Sequence, residues 1–369
     1  MTKHLHIITL NIPFPANFGG VIDVFYRIVA LYELGIQIHL HCFKYQRDET
    51  KELEKYCKKV YYYDRNMSWK NLLSQDPFIV KSRRSDILIT RLKENPFPIL
   101  YDGMHCTATL NNPTLRQKKF IRTHNVEKDY YSHLTRNESN ILIKLLLHFE
   151  HLKLSAYERK IDNAKAVLAI SRSDQMYFSK FKKSHLIRAF HSNTFIQSKL
   201  GVGDYALYHG NLTVSENIKA LQFLLKKVFL KIDYPIVVAG KIKSKKLIRE
   251  IRKNPNIQLV ENPSQNIMSD LIQNAQMILL PTFQNTGIKL KLLESLFKGR
   301  FCIVNNVMVV GSELHNYCIQ ANSAEEWIKE IKKLKEASFT EELLENRKSL
   351  IELFNNINEA QKIEKIIFN

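Results

Sequence analysis

Short apolar segments alternate with helical segments along the whole chain, and this alternation restricts the fold more than any other feature. Strands separated by crossover helices pair in parallel, so an α/β architecture with sheets covered on both faces is expected. The first strand is expected over His4 to Asn11, followed by a loop with two prolines and two glycines, residues 13–20. A helix from about Val21 to Leu34 comes next, apolar at Val24, Phe25, Ile28, Val29 and Leu31 and ended by Gly35. Further strands are expected at Gln37 to Phe43, Val60 to Tyr63, Ile99 to Asp102, Lys119 to Thr123 and Ala166 to Ile170. Glu138 to Lys160 reads as one long helix, and Ser171 as the cap of a helix beginning at Arg172.

The rhythm restarts after Gly201-Val202-Gly203. Strands at Tyr205 to His209, Pro235 to Ala239, Ile257 to Val260, Met277 to Leu280 and Phe301 to Asn305 alternate with helices at 216–231, 244–253, 267–274 and 290–297. Two sheets in series are expected: a first domain over 1–195 and a second over 201–345. Thr340 to Phe368 reads as helical with no strand left to cover, and its last part, about 350–369, is expected to pack back on the first domain.

Charge is the other strong feature. The chain carries 55 basic and 36 acidic side chains, a formal net of +19. Residues 1–190 hold 31 basic and 18 acidic groups, net +13, whereas residues 191–369 hold 24 and 18, net +6. Such an excess attracts polyanions: nucleic acid, phospholipid headgroups or phosphorylated substrates. Nucleic acid is not expected as a partner, because no basic stripe with interleaved aromatics or known binding module is present. The five cysteines are scattered without a C-x-x-C pair, which excludes a zinc ribbon or a disulfide scaffold and suits a reducing cytoplasm. The N-terminal apolar run is too short for a signal peptide, and no run reaches the ~20 residues of a membrane span. The richest, Ile141 to Leu147, is expected in the core, while the excess charge of the first half is assigned to an anionic membrane surface.

In open parallel sheets, ligands bind beyond the carboxyl ends of the strands. Gly19-Gly20 follows the first strand; glycines there let a ligand approach the backbone, or make a plain turn. Arg122-Thr123-His124-Asn125 ends the fifth strand, where His124 could meet a sugar hydroxyl or act as a cap, with His105 a weaker candidate. Gly210-Asn211 and Ala239-Gly240-Lys241 end two strands of the second half, with Lys241 either a phosphate counter-charge or a solvated lysine. Pro281-Thr282-Phe283-Gln284-Asn285-Thr286-Gly287-Ile288-Lys289-Leu290-Lys291-Leu292-Leu293-Glu294 joins a strand end to a helix. Amides at Gly287 and Ile288 would point at a pyrophosphate, and Glu294 would accept both hydroxyls of a ribose or pair with Lys291 or Lys298.

This constellation resembles the GT-B glycosyltransferases of family 4, bacterial and polysaccharide-type, over essentially the whole chain. The segment from Thr286 to Glu294 is similar to that family's donor-binding E-x7-E motif. The resemblance implies an α/β GT-B fold: two Rossmann-like domains facing across a cleft, with a C-terminal helix crossing back to the first. It implies a cytoplasmic, metal-independent, retaining transferase that needs no cofactor. Such an enzyme moves a sugar from a nucleotide-diphospho-sugar to a glycan or lipid-linked acceptor, with the inner membrane face as a candidate contact. By the same resemblance Gly19 and Gly20 lie beside the donor phosphates and sugar, and His124 and Thr286 beside the sugar. Gly210, Asn211, Lys241, Gly287, Ile288, Lys289 and Lys291 surround the diphosphate, and Glu294 holds the ribose. Thr286 stands where the family has its first motif glutamate, and Asn211 where it has an arginine. These two departures keep open a catalytically impaired partner protein. A nucleotide-sugar epimerase would bring its own acid/base carboxylates, which the sequence does not offer.

Overall fold

The computed structural model describes residues 2–138, 140–284 and 290–369. The chain divides into two compact units, one built from residues 2–192 with the C-terminal segment 354–369, the other from residues 193–284 and 290–353.

The first unit is a seven-stranded sheet. Its strands are β1 (His4–Thr9), β2 (Gln37–Lys44), β3 (Lys59–Asp64), β4 (Ile99–Asp102), β5 (Lys119–Thr123), β6 (Ala166–Ala169) and β7 (Ser184–Leu186). They run parallel in the order β3-β2-β1-β4-β5-β6-β7. Alternate residues enter opposite cores, as the period-two geometry of a strand requires. Leu5, Ile7, Ile38, Leu40, Phe120 and Leu168 join one cluster; Ile8, Phe43, Tyr101, Ile121 and Val167 join the other. Helix Gly19–Glu33 covers the first face with Val24, Ile28 and Leu31 and ends at Gly35, whose φ of 78° favours a residue without Cβ. The chain's last helix, Asn356–Phe368, packs beside it through Ala360, Ile363 and Ile367. Glu359 fixes that helix by accepting from the Arg188 backbone N–H at 2.9 Å.

One face of β1 and β2 carries histidines at every second position: His4, His6, His39 and His41. His6 Nδ1 lies 2.9 Å from His41 Nε2, His4 Nδ1 lies 3.1 Å from His39 Nε2, and Tyr63 Oη meets His41 Nδ1 at 2.8 Å. Burial holds His6 and His41 below the usual histidine range and His39 at about 4. The His6, His39 and His41 rings therefore sit as neutral imidazoles, each able to donate from one nitrogen and accept at the other.

The second unit is a six-stranded parallel sheet. Its strands are β8 (Ala206–His209), β9 (Ile236–Gly240), β10 (Ile257–Glu261), β11 (Met277–Leu280), β12 (Phe301–Val304) and β13 (Ile319–Gln320), in the order β10-β9-β8-β11-β12-β13. Each unit thus reverses strand order once, at β1/β4 in the first and at β8/β11 in the second, and such switch points open crevices at the strand carboxyl ends.

Several sequence expectations are corrected. Gly19 and Gly20 belong to the first helix, which starts two residues earlier than Val21, with Phe18 at its N-cap. The expected helix 138–160 ends earlier, as Ile141–Tyr157, and a separate polar helix, Glu127–Asn137, precedes it. Ile141 to Leu147 is not core: Ile141, Leu142, Ile143, Leu145 and Leu146 are all exposed, and the buried stripe of that helix is Glu150, Leu154 and Tyr157. The C-terminal segment is two helices, Glu341–Leu353 and Asn356–Phe368, and only the second belongs to the first unit. Among the described residues, no helix is long and apolar enough to cross a membrane.

Candidate functional site

In the first unit the chemistry gathers at the carboxyl ends of β4 and β5, beside the first helix. Asp23 and Arg27 stand one turn apart on that helix and face inward, both fully buried. Asp23 Oδ1 accepts from Arg122 Nη2 at 2.8 Å and from the Phe190 backbone N–H at 3.0 Å, while its Oδ2 accepts from Arg27 Nη1 at 2.8 Å. Arg27 Nη2 donates in turn to Asp102 Oδ1, which His124 Nε2 approaches at 3.0 Å. Two carboxylates and two guanidiniums balance in a space without water-facing atoms, which is the condition under which buried charges persist. Burial would raise the Asp23 carboxyl, but Arg122 and Arg27 overcome it and hold the group far below the usual carboxylate range. Asp102 is lowered as well, against burial, by Arg27 and His124.

His124 lies between both carboxylates, with Nδ1 3.8 Å from Asp23 Oδ2. It is the member of the cluster that reaches the surface, since its side chain is 13% exposed while the others are sealed. Asp23, Asp102 and His124 bring one ligand atom each within 4.8 Å of one another. This donor set does not suit a dication, because both carboxylates are already neutralised by arginine. What the arrangement does is fix the imidazole by its ring nitrogen, as an orienting carboxylate does for a catalytic histidine.

Next to it, Glu127 opens the polar helix Glu127–Asn137 and is 4% exposed. Burial pushes its carboxyl up to about 7, and His105 Nδ1 lies 3.8 Å from its Oε1. A carboxyl of that affinity exchanges a proton near neutral pH, which suits general acid or base chemistry. Gly103 joins the two histidines: a Cβ there would lie 3.5 Å from His105 Nδ1 and 3.9 Å from His124 Cδ2. Gly20 is not demanded by the chain's own packing, since a Cβ would meet Phe18 at an ordinary 3.6 Å.

In the second unit the corresponding edge is formed by the ends of β8, β9 and β11. Gly240 and Gly210 are pressed together: a Cβ on Gly240 would fall 1.8 Å from the Gly210 carbonyl oxygen, and the Gly240 φ is 154°. Glycine at 240 is therefore a packing requirement before any ligand is considered. Asn211 Oδ1 accepts from the Thr213 backbone N–H at 3.1 Å and its hydroxyl at 2.7 Å, so this amide is committed to a turn. Lys241 is exposed and has no ion-pair partner among the described residues. Helix Leu290–Lys298 carries Lys291, whose Nζ donates to Asn217 Oδ1 at 2.9 Å, and Glu294, which accepts from Lys298 Nζ at 2.9 Å. The i,i+4 pairing weighed for Glu294 is thus the one it makes here. Thr286, Gly287, Ile288 and Lys289 lie outside the described residues.

Residues that the sequence did not single out complete this edge. Thr282, after β11, donates to Glu216 at the start of helix Ser215–Lys227, and Asn305 braces it through the Thr282 backbone N–H at 3.1 Å. His209, the last residue of β8, is buried with Nε2 2.8 Å from Ser295 Oγ. Burial holds its pKa down at about 3. A histidine depressed in the folded state contributes stability that is complete above its unfolded pKa near 6.5 and is lost as pH falls toward 3. Each unit of acidification below 6.5 costs about 1.4 kcal/mol through this group. Urea unfolding of the second unit is expected to show a loss of roughly 2 kcal/mol between pH 6.5 and 5. The His209→Gln variant should flatten that slope.

The comparisons with known proteins fall on this frame. Residues 203–336, most of the second unit, match the family model of glycosyl transferases group 1. A Klebsiella pneumoniae protein described as an "Uncharacterized 44.6 kDa protein in cps region" is 28% identical over 336 residues, which is 83% of each chain. Sucrose-phosphate synthase from Thermosynechococcus elongatus shares the fold with a TM-score of 0.69 at 12% identity, over 99% of this chain and 98% of that one. TarM does so with a TM-score of 0.70 at 10% identity, over 100% and 99%. Anabaena HepE, solved with UDP and glucose, gives 0.65 at 12% identity over 98% of both chains. The twin parallel sheets and the likeness to these solved structures give this chain the GT-B fold, and its second unit is similar to the glycosyl transferases group 1.

Proposed function

We propose that the protein transfers a sugar from a nucleotide-diphospho-sugar to a glycan or lipid-linked acceptor in surface polysaccharide synthesis, with retention at the anomeric carbon and without a metal. The observation that carries this reading is the family match over residues 203–336, the unit that contains Gly210, Lys241, Lys291 and Glu294. HepE with UDP and glucose, and S. aureus TarM with UDP and alpha-GlcNAc-glycerol, support a nucleotide donor and a hydroxyl acceptor. The relative in a cps region supports the polysaccharide setting.

In this mechanism the negative charge grows on the leaving diphosphate as the glycosidic bond breaks. Lys241, without an ion-pair partner among the described residues, would meet that charge, and Lys289 and Lys291 would add two further cations. Stabilisation that strengthens as the bond breaks lowers the barrier more than it tightens ground-state binding. Glu294 exchanges Lys298 for the two ribose hydroxyls. His124, held by Asp102, with Gly19 and Gly20, is the candidate contact for the transferred sugar, and the motif resemblance assigns Thr286 to the sugar hydroxyls. Glu127, with its carboxyl pushed up to about 7, is our candidate to take up or return a proton during transfer.

A thermal-shift panel of UDP, GDP, dTDP and their sugars tests the donor class, because a ligand that binds the native state raises the melting temperature by mass action. Glu294→Ala should weaken the best nucleotide by tenfold or more in calorimetric titration, as expected for losing charge-assisted hydrogen bonds worth about 1.5–3 kcal/mol. Unchanged affinity would remove Glu294 from the ribose. The commitment of Asn211 to its own turn favours a second reading, a partner protein that binds donor without turnover. Nucleotide binding with no sugar release or transfer from any donor would select it.

A further inference from the structure

The helix Ile141–Tyr157 has three sectors rather than two. At 100° per residue, Ile141, Leu142, Leu145, Leu146, Phe149 and Leu152 fall within about 140° of arc. All six are between 48% and 73% exposed. The adjoining sector, Glu150, Leu154 and Tyr157, is buried against the first unit. The remaining sector holds Lys144, His148 and His151, and His151 Nδ1 lies 2.8 Å from the Lys128 carbonyl, which ties this helix to Glu127–Asn137 as a hairpin. An apolar face of this width beside a helix's own core stripe is unlike the scattered exposed leucines of ordinary surfaces.

A second stretch of chain extends the face. Lys153 Nζ donates to the Leu72 carbonyl at 2.6 Å, and Glu150 accepts from the Phe78 backbone N–H at 2.7 Å. These bonds dock the short helical turn Trp69–Leu73 against the hairpin, and there Trp69 is 66% and Leu73 78% exposed. Exposed Lys70 and Lys144 belong to the same two segments.

We infer that this hairpin, with Trp69 and Leu73, is a surface that lies in the interface of an anionic lipid bilayer. Two observations choose lipid over a second copy of the chain. Residues 1–190 carry a net +13, so two copies meeting here would bring like charge together, whereas acidic headgroups neutralise it. The composition is also that of an interfacial helix: a broad leucine and phenylalanine face, lysine beside it and tryptophan at the margin. The inference uses exposure and charge alone and does not depend on the transferase reading.

The chain has two tryptophans, and Trp327 is 1% exposed in the other unit, so a change in emission on adding vesicles reports Trp69. With full-length protein and vesicles of 70:30 phosphatidylcholine to phosphatidylglycerol (roughly physiological charge or above), a blue shift and co-flotation are expected. Pure phosphatidylcholine should give much weaker binding. The Leu142→Ser/Leu146→Ser double variant, altered only at exposed positions, should keep its melting temperature and lose at least tenfold in vesicle affinity. Three results would overturn the inference: no flotation with acidic vesicles at low salt; binding that the double variant retains in full; or sedimentation showing self-association of the wild type that the double variant abolishes, which would assign the face to a second copy.

Discussion

Replacing Asp23 with alanine is expected to destabilise the first unit by about 3–5 kcal/mol, a large share of the stability of any domain. The reason lies in what remains. Arg27 and Arg122 are both fully buried, and without Asp23 the carboxylate left in the cluster is Asp102, which Arg27 bonds and Arg122 does not. The Arg122 guanidinium would keep only carbonyl acceptors, those of Ile187 and Arg188. A buried cation left in that state costs more than the pair ever contributed. Removing both partners should therefore be milder than removing one: Asp23→Leu combined with Arg122→Met is expected to unfold at a higher urea concentration than Asp23→Ala alone. Equal midpoints for Asp23→Ala and wild type would show that the network is not sealed from water.

The second large effect is expected at Gly240. Its alanine variant would place a methyl carbon 1.8 Å from the Gly210 carbonyl oxygen, at a φ of 154° that L-residues rarely adopt. The flexible end of a side chain could move aside, but the clashing atom is backbone, anchored by the Gly210 N–H donating to the Ala239 carbonyl at 3.1 Å. The ends of β8 and β9 would have to separate, and a loss above about 3 kcal/mol or failure to accumulate folded protein is expected. Gly210→Ala provides the contrast, since the three atoms nearest its methyl would all belong to the Asn217 side chain, at 3.4–3.5 Å. That variant should fold with a loss of about 1 kcal/mol or less and so remain usable for measuring donor affinity. Circular dichroism melts of the two variants side by side check both statements.

Much of this architecture was legible from the sequence because parallel strands are apolar on both faces and stand out as runs. Ile99–Asp102, Lys119–Thr123 and Met277–Leu280 have the bounds expected of them. What was not legible has identifiable causes. Helix Glu127–Asn137 begins Glu-Lys-Asp-Tyr-Tyr-Ser-His and is too polar for an apolar period to stand out; it packs on helix Ile141–Tyr157 and, through Tyr131, on the first unit's core. β7 follows a lysine pair and has three residues, and β13 has two, too few for a period to show. Helix Ala324–Leu334 did carry a signal, Ser323 capping the Glu326 N–H three residues on.

His124 stands out in the sequence by its place at a strand end, but the carboxylates beside it, Asp23 (101 residues earlier in number) and Asp102, are brought there only by the fold. The i,i+4 spacing of Asp23 and Arg27 was visible, yet such pairs are usually solvated, and only the fold shows this one sealed. The leucines of 141–147 misled for a related reason. Hydropathy reports that a side chain avoids water and is silent on whether its neighbour is the protein's own interior.

The last helix has a consequence for how the molecule comes to exist. Val24, Ile28 and Leu31 share their cluster with Ala360, Ile363 and Ile367, so the first unit cannot be finished until residues 354–369 are translated. The half synthesised later lies wholly within residues 193–353 and meets no such delay. A premature stop shortly after residue 353 would leave the later half whole and the earlier one with a bare apolar groove, an easy target for chaperones and proteases.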